Sequence, residues 1–371
     1  MIALLSLVIW LYLVFLHGRF WSSGPELQPA TAAQLADTAA LPDVDIIVPA
    51  RDEIETIGPV IASLIAQDYP GNFRVTLVDD NSTDGTATAA GTAPNLRVLR
   101  GQPKPTGWSG KLWAVSQGVS ASSAPVLLLT DADIVHDPRH LAALVTRLKD
   151  PRVELVSEMV RLNCTSFAER ALVPAFVYFF QMLYPFASVN NPRSGVAAAA
   201  GGTVLVRREA LERIGGIEAI KGALIDDVTL AKAIKNVGPL YLGHSGLARS
   251  VRPYPHFADI WNMVSRTAFT QLRYSLTLLL LTLLGLTLVW LVPIATLVFG
   301  TGWQRACGGA ACLLAAASYI PTLLRYGRNP LWALTLPLIA LFYMAATVGS
   351  ALNRWFGGGS QWKNRAYGTE Q

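Results

Sequence analysis

Four pairs of acidic residues punctuate the middle of this chain: Asp52 with Glu53, Asp79 with Asp80, Asp131 with Asp133, and Asp226 with Asp227. The third pair closes the run Val126 to Thr130, four apolar residues and a threonine that read as a short, fully buried strand. An Asp-x-Asp directly after such a strand stands at the carboxyl edge of a sheet, where open α/β sheets bind ligands. Two carboxylates so close repel each other unless a cation lies beside them. Mg²⁺ or Mn²⁺ is the natural partner, because these ions prefer oxygen ligands and share them with substrate phosphates. The competing reading is that Asp131 and Asp133 only cap the turn that leads into His136, Asp137 and Pro138. For Asp226 and Asp227, which open a predicted helix at 224–230, the competing reading is stabilisation of the helix dipole from its first turn.

Such carboxylates need a sheet to hold them, and the composition allows for one. The chain has 371 residues, of which 52% are hydrophobic and 15% charged, and its mean hydropathy is +0.37. About a quarter of the residues of an ordinary soluble protein are charged, so this chain is too apolar for that class. The excess sits at residues 1–16 and from 275 to 352. Between them lies a stretch of mixed composition, long enough for one large α/β domain. The net charge of +5 and pI of 9.1 come with no dense basic run. They suit anionic headgroups and membrane topology, and exclude a nucleic-acid tract. Cys164, Cys307 and Cys312 have no metal-ligand spacing and suggest no disulfide framework, which fits a reducing compartment.

In chain order, residues 1–18 are expected to form an uncleaved membrane anchor, with Arg19 following the apolar run on the cytoplasmic side. Residues 19–42, rich in Ala, Pro, Ser and Thr, read as a linker. A domain over 43–254 follows. Its predicted strands at 44–49, 74–78, 96–99 and 126–130 alternate with helices near 54–67 and from 111, a pattern that argues a mostly parallel sheet. Further strands are expected at 153–160, 203–208 and 240–242. The aromatic run 171–187 contains Pro174 and Pro185 and carries no charge; it reads as an interfacial helix or a buried core helix. Residues 255–275 suggest an interfacial amphipathic helix. Three transmembrane helices are expected within 276–352, with Arg325 and Arg328 in a cytoplasmic loop, and a tail over 353–371 whose basic residues the positive-inside rule would not place outside.

Taken together, the segments IVPARDE (47–53), VDDNSTDGT (78–86), GWSGKLWA (107–114), TDAD (130–133), GGTVLVRREALERIGG (201–216) and DDVTLA (226–231) resemble the family 2 glycosyltransferases of GT-A fold. The resemblance spans roughly residues 43–250, and the order and spacing of the segments carry it. Within the family the chain is similar to the membrane-bound ceramide-glucosyltransferase-like branch, and to glycosyltransferases of bacterial hopanoid biosynthesis. The resemblance implies that Pro49, Ala50, Arg51 and Glu53 line a nucleotide pocket with Asp80 near the base. It implies that Asp131 and Ala132 meet the nucleoside and that Asp133, with Asp131, binds Mg²⁺ or Mn²⁺ on the donor diphosphate. Asp227 matches the catalytic base, with Asp226 beside it where many members have Glu. Lys111, at a helix start, would face phosphate, as helix N-termini favour anions, or else lie in solvent. His244 would be a further metal ligand or a structural histidine. The family's Q/R-x-x-R-W signature is only approximated by QLRY (271–274), which leaves the roles of Arg266, Gln271 and Arg273 open.

The expected activity is inverting transfer of a sugar from a nucleotide-sugar, a UDP-sugar first among them, to a lipid hydroxyl. It would take place on the cytoplasmic face of a bacterial inner membrane, with no nucleic-acid partner. Such transfer needs a base for the acceptor hydroxyl and charge neutralisation on the departing diphosphate. A neighbouring carboxylate at Asp226 would raise the basicity of Asp227. Two other readings compete: a processive polysaccharide synthase whose spans form a channel, and a non-catalytic membrane scaffold that keeps the fold.

Overall fold

A computed structural model describes residues 1–357, 361–362 and 365–366, and the chain packs as two compact units. One comprises Pro25–Asn163, Ser188–Pro253 and Gln361–Gln371; the other comprises Met1–Gly24, Cys164–Ala187 and Tyr254–Ser360. This differs from the expected single domain over 43–254. Residues 164–187 pack with the apolar ends of the chain, because their aromatic surface matches those helices better than it matches a sheet.

The first unit is built on nine strands: β1 (Glu26–Leu27), β2 (Val44–Ala50), β3 (Phe73–Asp79), β4 (Leu96–Arg100), β5 (Val126–Thr130), β6 (Ile134–His136), β7 (Leu155–Arg161), β8 (Thr203–Arg207) and β9 (Leu240–Ser250). Their order across the sheet is β1-β9-β7-β8-β5-β2-β3-β4, with β6 paired to β9. The block β5-β2-β3-β4 is parallel, as the alternation of strands and helices predicts. Only β8 and β6 run antiparallel to their neighbours. The β2 residues are buried along the whole strand, as a sheet covered on both faces requires. Within the expected linker Thr31 and Gln34 form a capping box on a short helix, and Glu26 and Leu27 add a strand that pairs in parallel with His244 and Ser245. A two-residue strand leaves no hydrophobic period to read.

Helices over Ile54–Ile65 and Gly110–Ser120 connect the parallel strands. Asp84 caps the first of these from outside it. Its Oδ2 accepts from the Ile54 N–H at 3.0 Å, and its Oδ1 accepts from the Thr86 N–H at 2.9 Å. The second helix is capped by Ser109, whose Oγ accepts from the Leu112 N–H. It lies on the sheet through Gly118. A Cβ there would stand 2.5 Å from Ile47 Cγ2 and 3.1 Å from Val78 Cγ2.

The second unit contains three helices long and apolar enough to cross a membrane: Leu276–Phe299, Trp303–Arg325 and Pro330–Phe356. The N-terminal helix, Ile2–Phe15, has 14 residues and is shorter than a usual span. It docks on a π-helical turn at Thr287–Leu291. Ser6 Oγ donates to the Leu288 carbonyl at 2.7 Å, and Trp10 Nε1 donates to the Val289 carbonyl at 2.8 Å. The aromatic run forms one helix, Phe167–Leu183, that continues through Pro174 and packs on the Trp303–Arg325 helix. Tyr178 Oη and Ser318 Oγ meet at 2.7 Å, and Tyr343 Oη donates to the Leu172 carbonyl at 2.9 Å. The expected single helix over 255–275 is two pieces, Phe257–Ser265 and Ala268–Gln271. They are followed by Arg273 and Tyr274 at positive φ. Of the expected tail, residues 358–360, 363–364 (Lys363 among them) and 367–371 lie outside the described residues.

Replacing Gly118 with valine would drive two methyl groups into the β2–β3 surface. Overpacking of this kind costs roughly 1–3 kcal/mol, so Gly118→Val is expected to lower the melting temperature of the solubilised protein. An unchanged melting temperature would contradict this close seat of helix on sheet.

Candidate active site

Because β5, β2 and β3 are parallel neighbours, their carboxyl ends stand side by side. The acidic pairs that follow them therefore gather at one edge. The antiparallel strand β8 brings Gly201 and Gly202 to the same edge, since Thr130 pairs with Thr203. The helix Asp226–Lys235 contributes its first turn. Between them is a crevice with about 410 Å³ of open space. Its polar wall comprises Lys111, Thr130, Asp131, Asp226 and Asp227, and Pro49 and Gly201 complete that side. Leu112, Val115, Ile217 and Ile220 are among its apolar walls.

Lys111 organises the polar wall. Its Nζ lies 2.8 Å from Asp131 Oδ1 and 3.0 Å from Asp226 Oδ2. The sequence placed it at a helix start, in solvent or against phosphate. Its side chain is in fact only 20% exposed and joins two acids 95 residues apart in sequence (226 − 131). Burial opposes the Lys111 charge, but the two carboxylates outweigh it and hold the ammonium well above its usual range. Burial raises Asp131; Lys111 opposes that rise and the charge of Asp133 adds to it.

Asp227 is the least compensated acid of the group. Its Oδ1 accepts from the Val228 N–H at 2.7 Å, and a Cβ on Gly201 would stand 3.1 Å from its Oδ2. The glycine therefore lets the chain pass close to this carboxylate, a requirement not visible in the sequence. Burial, and then the charge of Asp226, push the Asp227 carboxyl up to about 7; Lys111 pulls the other way. A carboxylate with a proton affinity near neutrality suits a general base.

A second charged group lies at the same edge. Arg252 Nε meets Asp133 Oδ2 at 2.6 Å, and its Nη2 meets Glu53 Oε1 at 2.8 Å. Sequence reasoning missed Arg252; it follows the long strand β9 in a stretch, VRPYP (251–255), that matches no motif. Arg51 donates from Nη1 to the Asp80 carbonyl at 2.6 Å, and Asp80 is fully buried. Asp52 takes a positive φ of 50° and accepts from the Thr83 N–H through its Oδ1. Ala50 and Ala132 are buried at the ends of their segments. His244 is 2% exposed in β9, between β1 and β7, and is not part of the crevice lining. In the other unit, Gln271 donates to Tyr184 Oη.

The fit of a divalent ion can be judged from these carboxylates. Among the described residues no three His, Cys, Asp or Glu side chains form a ready-made metal cluster. Asp131 and Asp133 are both oxygen donors and both already neutralise a cation, Lys111 and Arg252 respectively. Asp131 keeps 33% of its side-chain surface open, against 13% for Asp133. This donor set fits Mg²⁺ or Mn²⁺ of the kind held by one or two carboxylates together with substrate phosphates.

Comparison with known proteins agrees with this geometry. A sequence profile of glycosyl transferase family 2 matches residues 45–215. The β-monoglucosyldiacylglycerol synthase of Synechocystis is 26% identical over 58% of this chain and 49% of its own length. The corresponding Nostoc synthase is 25% identical over 65% of this chain and 57% of its own. The chain thus spans about half the length of these curated relatives. A mannosyltransferase from Pyrobaculum calidifontis, solved with GDP-Man and Mn²⁺, superposes with a TM-score of 0.57 at 22% identity, covering 95% of this chain and 98% of that one. Profile and fold converge on the sheet domain: residues 45–215, which carry three of the four acidic pairs, match the profile of glycosyl transferase family 2, and the chain has the GT-A fold.

Proposed function

We propose that this protein transfers a sugar from a nucleoside-diphosphate sugar to a lipid hydroxyl, by a single inverting displacement at the membrane surface. The observation that carries the reading is Asp227: a shielded carboxylate, raised to about 7, beside the ion-paired group Lys111–Asp131–Asp226 at the carboxyl edge of the sheet. In this reading Asp227 takes the proton from the acceptor hydroxyl as its oxygen bonds to the anomeric carbon. The bond between that carbon and the diphosphate oxygen breaks, and the electron pair leaves with the nucleoside diphosphate. Asp226 keeps Asp227 basic by like-charge repulsion. Lys111 lies at a helix N-terminus, where an anionic diphosphate is favoured. Pro49, Ala50, Arg51, Glu53, Asp80 and Ala132 shape the nucleotide pocket. Asp131 and Asp133 would hold Mg²⁺ or Mn²⁺, which supplies Lewis-acid neutralisation of the leaving group.

The relatives' names supply the acceptor class, since both synthases are named for a glucosylated diacylglycerol. The three long apolar helices support a membrane enzyme, and a UDP-sugar and a hopanoid-type lipid alcohol are the first donor and acceptor to supply. Arg19 and the Arg325–Arg328 turn favour a catalytic domain on the cytoplasmic face of the inner membrane.

In lipid nanodiscs with a panel of UDP- and GDP-sugars, release of one nucleoside diphosphate is expected to require Mg²⁺ or Mn²⁺ and to be lost in Asp133→Ala. Asp227→Asn is expected to lower turnover by about 10²–10⁴-fold. An Asp227→Asn protein as active as wild type would remove the base assignment, and polymeric product would favour a processive synthase.

A pH profile gives a second check. Asp227 must be ionised to accept a proton, so kcat/KM should fall with unit slope as pH drops below about 7. Because the Lys111 charge lowers the Asp227 pKa, Lys111→Met should move that limb to higher pH; a shift to lower pH contradicts the assigned electrostatics.

A further inference from the structure

Behind the crevice runs a buried polar chain that no step above uses. Thr130 Oγ1 lies 3.1 Å from His136 Nε2; His136 Nδ1 lies 2.8 Å from His140 Nδ1; and His140 Nε2 lies 2.5 Å from Glu158 Oε1. None of the four residues is more than 3% exposed, and Glu158 Oε2 has no hydrogen-bond partner. At its other end Thr130 Oγ1 donates to the Gly202 carbonyl at 2.8 Å. That carbonyl also accepts from Thr203 Oγ1 at 2.8 Å and from the Asp131 N–H at 3.4 Å.

The partners fix where the hydrogens lie. The Thr130 hydroxyl hydrogen is committed to Gly202, so Thr130 accepts from His136 Nε2–H. Burial and the neighbouring imidazole disfavour a charge on His136. Its Nδ1 therefore accepts, and His140 Nδ1 donates. The last proton lies between His140 Nε2 and Glu158. From His140 onward every hydrogen bond then points the same way, towards the Gly202 carbonyl. From the same strand Ser157 Oγ accepts from the Ala200 N–H at 2.9 Å and lies within hydrogen-bonding reach of the Ala200 carbonyl, at 3.1 Å. Strand β7 therefore grips the turn 200–202 twice, once directly and once through two imidazoles. That turn carries Gly201, the wall against Asp227, and its last carbonyl receives the Asp131 N–H. Apolar residues of the same volume would serve stability at least as well as buried ionisable groups, so stability alone gives no reason for the chain.

We infer that Glu158, His140 and His136 are positioning residues for the transfer: acting through Thr130, they fix the Gly202 carbonyl and so set Asp131 and Asp227 relative to one another. The inference rests on the sugar-transfer reading and goes beyond it, since none of the three lines the crevice. The test compares isosteric pairs in the full-length protein in nanodiscs. Thr130→Val deletes the relay hydroxyl and Thr130→Ser keeps it. Glu158→Leu removes the far end of the chain, whereas Glu158→Gln can still donate to or accept from His140. Thr130→Val and Glu158→Leu are expected to lower kcat by about 10–100-fold with little change in donor KM, Glu158→Gln to stay near wild type, and Thr130→Ser to keep more of kcat than Thr130→Val. Equal losses in both members of each pair, a loss confined to KM, or full activity in Thr130→Val would overturn the inference. If Thr130→Val fails to fold, the Glu158 pair decides it on the same criteria. An inactive wild type with every donor would overturn the sugar-transfer reading and this one together; an active wild type with an unaffected Thr130→Val overturns this one alone.

Discussion

One cation decides whether the carboxyl edge of this sheet can exist as drawn. Asp131, Asp226 and Asp227 come from a strand end and a helix start, and nothing in their own packing keeps three acids together. Lys111 bridges two of them and leaves the third under-compensated. The arrangement is asymmetric in a way chemistry can use. Two of the acids share one ammonium, while the remaining carboxyl is pushed towards neutrality. Arg252 does a similar service for Asp133 and Glu53, so each acid of the Asp-x-Asp stretch has its own counter-ion.

What positions these charges is largely covalent geometry made rigid by the sheet. The parallel pairing of β5, β2 and β3 delivers three strand ends in register, and Gly118 and Ser109 seat the helix that presents Lys111. The backbone around Asp52 and Asn81, both at positive φ, turns sharply after β2 and β3; Asp and Asn are the non-glycine residues that tolerate this best.

Much of this was legible in the sequence. Apolar runs ending in acids marked the strands and their functional edge, and the order of the segments marked the family. The long apolar stretches marked the three helices long and apolar enough to cross a membrane. Three things were not legible, each for a physical reason. Arg252, and the two acids that the already suspected Lys111 joins, act through partners far away in sequence, and a single basic residue carries no periodicity that would reveal those pairings. Gly201 matters for a side chain it lacks, beside a carboxylate 26 residues on (227 − 201). The His136–His140–Glu158 chain is assembled from a strand, a helix start and another strand, and only the folded sheet brings them into contact. The boundaries at 164–187 were misread because an aromatic helix of 17 residues suits a globular core and a membrane bundle equally by composition.

The docking of Ser6 and Trp10 on the π-helical turn bears on how the molecule is made. The helix Ile2–Phe15 finds its hydrogen-bond acceptors, the carbonyls of Leu288 and Val289, about 280 residues further along the chain. The apolar unit is assembled from three separate stretches of chain, with the sheet-forming stretches synthesised between them. Until the last of these emerges, the serine hydroxyl and indole N–H near the amino terminus lack the partners that hold them in the finished bundle. The apolar unit thus closes only after residues 288–289 have been added to the chain. Its completion is a late event in biosynthesis, whereas nearly all of the catalytic sheet has been synthesised by the time β9 emerges.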